Sequence, residues 1–481
     1  MSTDRFDAAP HACLSIGPVK VLIAVVAIGG ASQQAFAQNA LVDALQGLAT
    51  TPPETSVGTV IGIVCPEGIA AQNLQRDCNQ MAGAALSDDP ALNSQAGNAL
   101  SGVTPDQAGL SVDAALTSVV TQTGNIGARL ATLRHGAVRS SSTGLTYNFD
   151  GKTISADEFA KLYGLDPGSG GAASGDTAAD FGRLGVFVNG TFRFGNKDQT
   201  DLEAGFDFDT NGVTIGADYR VTNNLALGGA FGYMRTDVDL DAAGGSLDTN
   251  GYSFSLYGTY YPTDKFYVDG SATYGWNDFD QNRNIRYAIT NSAGVQTADV
   301  NQTMSTDFDG SQWDIALGTG FEVNNGAWTY GPVSRLQYIN ADVDGYQENA
   351  SAPGLGPGTD GSGWTVGVDD QSFKSLTFSM GLYATYAISQ SWGVLLPQAR
   401  FDWVHEFKGE GELVTGRFLG DPSRQSFQFP TDAADRNYYP LGVGMSAVFG
   451  EGKSAYAYYQ AILGYRNLTD NTFNVGLRLE Y

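Results

Sequence analysis

From Leu184 to the end of the chain, apolar residues alternate with small, polar or charged ones. The final stretch, Thr472 to Tyr481, shows the rule: Phe473, Val475, Leu477, Leu479 and Tyr481 are apolar, and Asn474, Gly476, Arg478 and Glu480 separate them. A period of two is a strand with one apolar and one wet face. In water the apolar face needs a core. In a bilayer the arrangement inverts, with the apolar face meeting lipid and the wet face lining a lumen. The pattern recurs in twelve segments, among them Val186 to Phe194, Val213 to Tyr219, Leu225 to Tyr233, Tyr252 to Tyr260, Phe266 to Trp276 and Trp313 to Val323. The segment from Ala455 to Tyr465 alternates least clearly. The intervening positions carry Arg193, Asp218, Arg220, Asp269, Asp314, Glu322, Arg335, Arg400, Asp402, Arg478 and Glu480. A soluble sandwich does not need charges so regularly on its second face, with Trp and Tyr at the segment ends. The pattern therefore predicts an all-β membrane barrel of about 12 antiparallel strands over 184–481, with those eleven charged residues lining the pore.

Connection lengths support a barrel. Short turns at Val221–Asn224, Tyr261–Lys265, Asn324–Ala327, Ser389–Trp392 and Gly450–Lys453 alternate with longer connections. The long ones are Gly195–Asn211, Thr236–Thr249, Phe279–Gly310, Asn340–Asp370 and Lys408–Asn437, read here as loops. Outer-membrane barrels have short periplasmic turns and long external loops, and an even strand count puts both barrel ends in the periplasm. Pro332 and Pro397 fall inside strands, where each forfeits a ladder hydrogen bond, so bulges or nearer strand ends are expected there.

Before the barrel the period changes. Residues 1–37 read as a signal peptide: Lys20 precedes the apolar run Val21–Ala31, and Ala35-Phe36-Ala37 supplies a cleavage site. Residues 38–140 read as a small α-helical region, with apolar residues at helix spacing over Asn39–Leu48. Pro66 is expected to open a helix, Asp89-Pro90 another, and Thr104 a third. At the third, Thr104, Pro105 and Gln107 form a capping box before Leu110, Ala114, Leu116, Val119, Ile126, Leu130 and Leu133. Cys65 and Cys78 are expected to pair as a disulfide, as two thiols in an exported chain do. Residues 141–183 are a connector, with a capping box at Ser155–Glu158, a short helix to Tyr163, and a Gly-rich linker, Asp166–Asp176.

Composition narrows the function classes. Charged residues make up 16% of the chain, with 62 Gly and a formal net charge of −25, so nucleic acid is not an expected partner. No segment carries an EF-hand or G-x-S-x-G pattern, and no cofactor, metal or catalytic residue is expected. His405, in FDWVHEF, shares a face with Phe401, Trp403 and Phe407 and reads as part of a lipid-facing aromatic girdle. His135, at a helix end, reads as a cap.

The segment GVFVNGTFRFGNKDQTDLEAGFDFDTNGVTIGADYRVTNNLALGGAFGY, Gly185 to Tyr233, resembles the start of the autotransporter (type V secretion) β-domain. The stretch from NLQ to NIGARLATLRHGA also resembles the short N-terminal region of one group of such proteins. The resemblance spans roughly 178–481. It implies a pore-plugging helix, a passenger brought to the cell surface, outer-membrane lipid as surroundings, and assembly machinery that reads the terminal strand (Phe473, Val475, Leu477, Leu479, Tyr481). The passenger lacks the usual solenoid, and Tyr replaces the commoner terminal Phe. A lumen of this size has room for a helix. Thr104–Arg139 is favoured over Ser155–Tyr163, because Arg129, Arg134 and Arg139 could pair with lumenal acids. The alternative is a helix packed on its N-terminal neighbours. The expected function is that of a monomeric outer-membrane translocator exposing or anchoring a small helical passenger. The alternative is a diffusion channel plugged by its own N-terminal region.

Overall fold

The computed structural model describes residues 37–136, 146–149, 152–155, 183–241, 244–449 and 452–480. The expected leader, the short helix after Ser155, the Gly-rich linker, Arg139 and Tyr481 lie outside them. Residues 152–155 form a backbone hairpin with 146–149 in the expected connector.

Twelve strands close an antiparallel barrel. They are β1 (Leu184–Lys197), β2 (Phe206–Thr222), β3 (Leu225–Leu240), β4 (Gly245–Tyr260), β5 (Phe266–Thr290) and β6 (Gln296–Phe321), followed by β7 (Trp328–Val343), β8 (Gln371–Tyr386), β9 (Gly393–Glu406), β10 (Asn437–Phe449), β11 (Lys453–Leu463) and β12 (Leu468–Glu480). Closure is between the first and last strands, with Val475 opposite Gly190 and Leu477 opposite Val188. The apolar set faces outward: Val188, Phe192, Ile215, Leu227, Phe254, Leu317, Leu382 and Leu477 are all exposed.

The two prolines produce no register shift. Pro332 stays opposite Leu382 and Pro397 opposite Met445. Each sits in a gap of the ladder on its other side. The β6–β7 rungs stop at Val333–Gly320 and the short pairing below starts at Tyr330–Val323. The β8–β9 rungs stop at Thr385–Gln398 and restart at Ile388–Leu395. A residue without an N–H fits where no rung is drawn.

The long connections are not simple loops, which corrects the sequence reading. β5 and β6 run on together through Phe279–Gly310 to a turn at 291–295. The reason is a change of phase. On β5 the outward residues turn from apolar (Val268, Ala272, Tyr274, Trp276) to polar (Asp278, Asp280, Asn282). The inward ones turn from polar (Asp269, Thr273, Asn277) to apolar (Phe279, Ile285, Tyr287, Ile289). β6 switches at the same level, from Trp313 to Asp309 outside and from Gln312 to Phe308 inside. Below the switch the strand is solvated by lipid outside; above it, water is outside and a protein core inside. Tyr233, Tyr252 and Trp276 mark the level, with ring centroids 5.3 and 5.9 Å apart along the row. Phe266 to Trp276 is ten residue steps. At about 3.4 Å each and a tilt of about 45°, that gives an apolar band of about 24 Å, the height of an outer-membrane hydrocarbon core.

The core above the band is built with the N-terminal helices. They are α1 (37–48), α2 (Pro52–Glu67), α3 (Gln72–Ala85), α4 (Pro90–Val103) and α5 (Leu110–Gly136). α2 starts at Thr51-Pro52: the Thr51 hydroxyl accepts from the Glu54 N–H at 3.3 Å, and the Glu54 carboxylate accepts from the Thr50 N–H at 2.6 Å. Pro66 does not open a helix; it sits in the last turn of α2, which Gly68 ends at φ 68°. Two prolines behind a Thr cap are a stronger start than one proline without a cap. Asp89 does cap α4, accepting from the Ala91 N–H at 2.9 Å. Thr104 caps no helix start. It ends α4, its hydroxyl donating to the Leu100 carbonyl at 2.8 Å, and a 3-10 turn (Asp106–Gly109) leads into α5. Cys65 and Cys78 are disulfide-bonded, joining α2 to α3.

Four short strands in the long connections (Tyr346–Gln347, Val366–Val368, Leu413–Phe418 and Ser426–Pro430) form a second sheet. α2 packs on Ser426–Pro430 and α4 along β5. Leu74, Met81 and Leu100 thereby share one buried core with Trp364, Phe418, Phe427 and Phe429.

Candidate functional site

α5 descends from this cap into the lumen. Polar residues at Ser118, Gln122, Asn125 and Arg129 fall at helix spacing on one face, and each is at most 2% exposed. They meet inward residues of the first half of the barrel. Gln312 donates to the Ser118 hydroxyl at 3.2 Å, and Thr214 to the Gln122 carbonyl at 2.9 Å. Asn125 donates to Thr214 at 2.9 Å and accepts from Thr191 at 2.7 Å.

Lowest on this face is Arg129. Its Nε donates to the Asp218 carboxylate at 2.6 Å, its Nη2 contacts the same carboxylate, and the guanidinium lies 4.9 Å from the Phe187 ring centre. Tyr257 donates to Asp218 at 3.1 Å. Ile126, Leu130 and Leu133 pack with Phe187, Ala230 and Tyr257 into a small apolar cluster. So close an approach requires residues without side chains: a Cβ on Gly232 would lie 2.3 Å from the Gln122 amide.

Ten of the eleven residues expected to line the pore occupy inward-alternating strand positions, and Glu322 directly follows β6. Asp218 pairs with Arg129. Arg193 pairs with Asp470 at 2.5 Å and donates to the Thr117 carbonyl of α5 at 3.2 Å. Asp314 accepts from Gln337 at 2.8 Å, and Arg335 donates to Ser271 at 3.1 Å. Arg400 binds Asp402 at 2.6 Å, and Arg478 pairs with Glu480. Asp269 is buried, while Arg220 and Glu322 are half-buried towards the short-turn end. Of the three arginines expected to reach lumenal acids, Arg129 does; the side chains of Arg134 and His135 lie outside the description, as does Arg139.

Sequence reading missed Ser118, Gln122 and Asn125, and their partners Thr191, Thr214 and Gln312. The available signal was the polar spacing within a helix otherwise made of small and apolar residues. It also missed Asp470, near the start of β12.

The chemistry on offer is anchoring. Among the described residues no group of three or more His, Cys, Asp or Glu is placed to hold a metal. Asn125, a buried amide of the lumen helix, has threonine hydroxyls as partners. His405 faces outward, its Nδ1 2.9 Å from the Asn437 amide oxygen, with the Trp403 and Phe407 ring centres 5.8 and 4.7 Å away. In the cap, burial pushes the Asp106 carboxyl up to about 6, against the opposing pull of Arg283.

Residues 186–460 match the family model described as autotransporter beta-domain. The outer membrane protein B of Rickettsia rickettsii is 27% identical over 209 residues, covering 41% of this chain and 12% of that protein. Lipase 1 of Photorhabdus luminescens is 23% identical over 57% of this chain and 37% of its own length. The chain thus spans about an eighth of the first relative and just over a third of the second. The translocator domain of autotransporter NalP from Neisseria meningitidis aligns with a TM-score of 0.45 at 15% identity, covering 62% of this chain and 89% of that one.

Proposed function

Because this chain belongs to the autotransporter β-domain family and is an outer-membrane barrel of that family, we propose that it displays its own N-terminal helices at the cell surface as a permanently docked cap. The observation that carries this reading is the shared core. Trp364, wholly buried, belongs to a connection between barrel strands, yet it lies in one cluster with Leu74, Met81 and Leu100 of the helices. Its indole donates to the Tyr287 hydroxyl at 2.6 Å. Asp77 of α3 accepts from the Gly363 N–H at 2.8 Å, and Arg76 donates to the Thr359 carbonyl at 2.6 Å. Releasing α1–α4 would strip this core from both sides.

In this reading α5 is the tether. It runs from a surface cap down into the barrel lumen, and the Arg129 pair holds it there. The role is structural, with no reaction assigned to the chain. Phe473, Val475, Leu477 and Leu479, with Tyr481, form the segment read by the assembly machinery, and the protein acts as a monomer in the lipid.

The test is protease shaving of intact cells followed by an antibody to residues 38–136. Surface display predicts that the epitope is lost on shaving and, before shaving, migrates with the barrel on denaturing gels. A cell-released fragment carrying the epitope would refute docking, and an epitope protected until cells are lysed would refute display.

A further inference from the structure

The two faces of α5 have different surroundings in the lumen. Ser118, Gln122 and Asn125 are bonded to inward residues of β1, β2, β4 and β6. The packing there is tight: a Cβ on Gly251 of β4 would lie 2.6 Å from the Ser118 hydroxyl. The opposite face carries Val120, Gly124, Gly127, Ala128 and Ala131. It borders a cavity of 360 Å³ whose far wall is made by inward residues of β7–β12. Val120 is 43% exposed although it lies inside a closed barrel. A Cβ added to Gly124 or Gly127 would meet no atom of the described residues within 4 Å.

The far wall differs in kind from the wall the helix is bonded to. Under the polar face the inward residues are Thr191, Thr214, Ser255 and Gln312. Across the cavity they include Val333 of β7, Leu396 and Val404 of β9, Val448 of β10 and Ile462 of β11. Tyr456 and Tyr458 of β11 join them. These rings lie along the wall, over glycines of the neighbouring strands. A Cβ on Gly476 of β12 would fall 2.2 Å from the Tyr456 ring, and one on Gly444 of β10 would fall 2.5 Å from the Tyr458 ring. Glycine at both positions lets the tyrosines lie flat and keeps the cavity open.

The charges of the lining are engaged within the protein. Arg193 pairs with Asp470, Arg400 with Asp402 and Arg478 with Glu480. Arg335 donates to Ser271 and lies near Asp314, and Lys453 has a partner as well. An ion entering such a space would lose its hydration and gain no free counter-charge. Two hydroxyls are in the opposite situation. Those of Tyr456 and Thr385, both lining residues, are buried with no hydrogen-bond partner among the described residues. Buried polar groups without protein partners are met by water or a ligand.

We propose that this space is a binding cavity for a small neutral molecule with a flat apolar body and one hydroxyl or carbonyl group. The apolar body lies between the small-residue face of α5 and the aliphatic and tyrosine side chains of the far wall, and its oxygen meets Tyr456 and Thr385. Ligand pockets of about 300–1,000 Å³ are of this make, mostly apolar with a few polar groups that fix orientation. The Arg193–Asp470 pair, tied to α5 through the Thr117 carbonyl at 3.2 Å, bounds the outer end, so the molecule is held and not passed through. The inference does not depend on where the cap resides, so failed display and an empty cavity are separate results.

The experiment is fluorine NMR of the full-length protein in nanodiscs, with three probes that share one ring: 4-fluorobenzyl alcohol, 4-fluorobenzoate and 4-fluorobenzylammonium. Protein-free nanodiscs give the lipid background. Above that background the alcohol line should broaden saturably, and the two charged probes should bind at least about tenfold more weakly, because each would be desolvated without a new partner. Gly127→Leu fills the space beside α5 and should abolish the saturable part. The double variant Tyr456→Phe with Thr385→Val should weaken binding about fivefold or more, the loss of at least one net hydrogen bond. Leu382→Ala, on the lipid face, should change nothing. No saturable broadening, a charged probe that binds as well as the alcohol, a saturable part that survives Gly127→Leu, or full affinity in the double variant would each overturn the proposal. If Gly127→Leu fails to assemble as a heat-modifiable barrel, Gly124→Leu on the same face gives the same reading.

Discussion

Removing the carboxylate of Asp218 tests what holds α5 in the lumen. Arg129 and Asp218 are 2% and 5% exposed. An Asp218→Ala change therefore removes the carboxylate that Arg129 holds in a buried site, and the Tyr257 hydroxyl loses the nearer of its two acceptors. Breaking a buried pair from one side costs about 3–5 kcal/mol. At 1.4 kcal/mol per decade, that is about a 10²- to 4 × 10³-fold rise in the fraction of barrels whose helix end has come away. Hydrogen exchange of the α5 amides around Ile126–Leu133 reads that fraction, because exchange through opening follows its population. Protection should fall by that factor there, with little change on α2–α4. The paired change Arg129→Met with Asp218→Leu removes both charges and should restore most of the protection, since apolar replacements of a buried pair are often neutral. A single variant whose α5 protection falls less than about threefold, under 1 kcal/mol, would refute the anchoring role.

Four further outcomes follow from the same geometry. Reducing the Cys65–Cys78 bond, whose partners are 13 residues apart, should destabilise the cap by about 3 kcal/mol on loop entropy, seen as faster trypsin cleavage of α2–α3 in the intact protein. The Asp106 carboxyl, raised from 3.8 to about 6, holds its proton in the folded cap at a pH where the unfolded chain has lost it. Its contribution to stability is therefore fully present below pH 4 and lost as pH rises to about 6, worth up to about 3 kcal/mol; Asp106→Asn should flatten the pH profile of cap proteolysis. Leu382, 64% exposed on the lipid face, should cost about 2–4 kcal/mol as Leu382→Arg in urea unfolding from vesicles, whereas Gln398→Arg on the lumen face should cost much less. Deleting Tyr481 should reduce the heat-modifiable barrel in membranes, and an unchanged yield would remove that residue from the assembly signal.

The alternation of residues such as Phe473, Val475 and Leu477 was enough to place twelve strands and their lipid faces. A period of two is a local property that survives any packing, and lipid leaves no other use for the apolar side. The charges at inward strand positions, such as Asp218 and Arg193, were legible for the same reason. Asp89-Pro90 was legible because a cap is a contact between near neighbours. Thr104 failed the same test because two local devices competed for it. Its hydroxyl closes α4 instead of opening α5, and that choice depends on where the chain must turn to enter the lumen.

Tertiary structure decided the rest. The long connections read as loops because the phase of their alternation flips near Trp276 and Trp313. A strand whose inner face turns apolar makes sense only once helices from residues 37–103 are known to lie against it. The pairing of Arg129 with Asp218, 89 positions apart, depends on the depth to which α5 enters the barrel, as does the closure of Arg193 on Asp470. Which wall α5 leans on was beyond sequence reading altogether, because it depends on how the polar face of the helix meets inward residues far away in sequence. Sequence by itself determined a lipid-facing barrel with a charged interior and a small helical partner. The fold determined that the partner is a cap joined to the barrel, tethered by a helix that enters the pore.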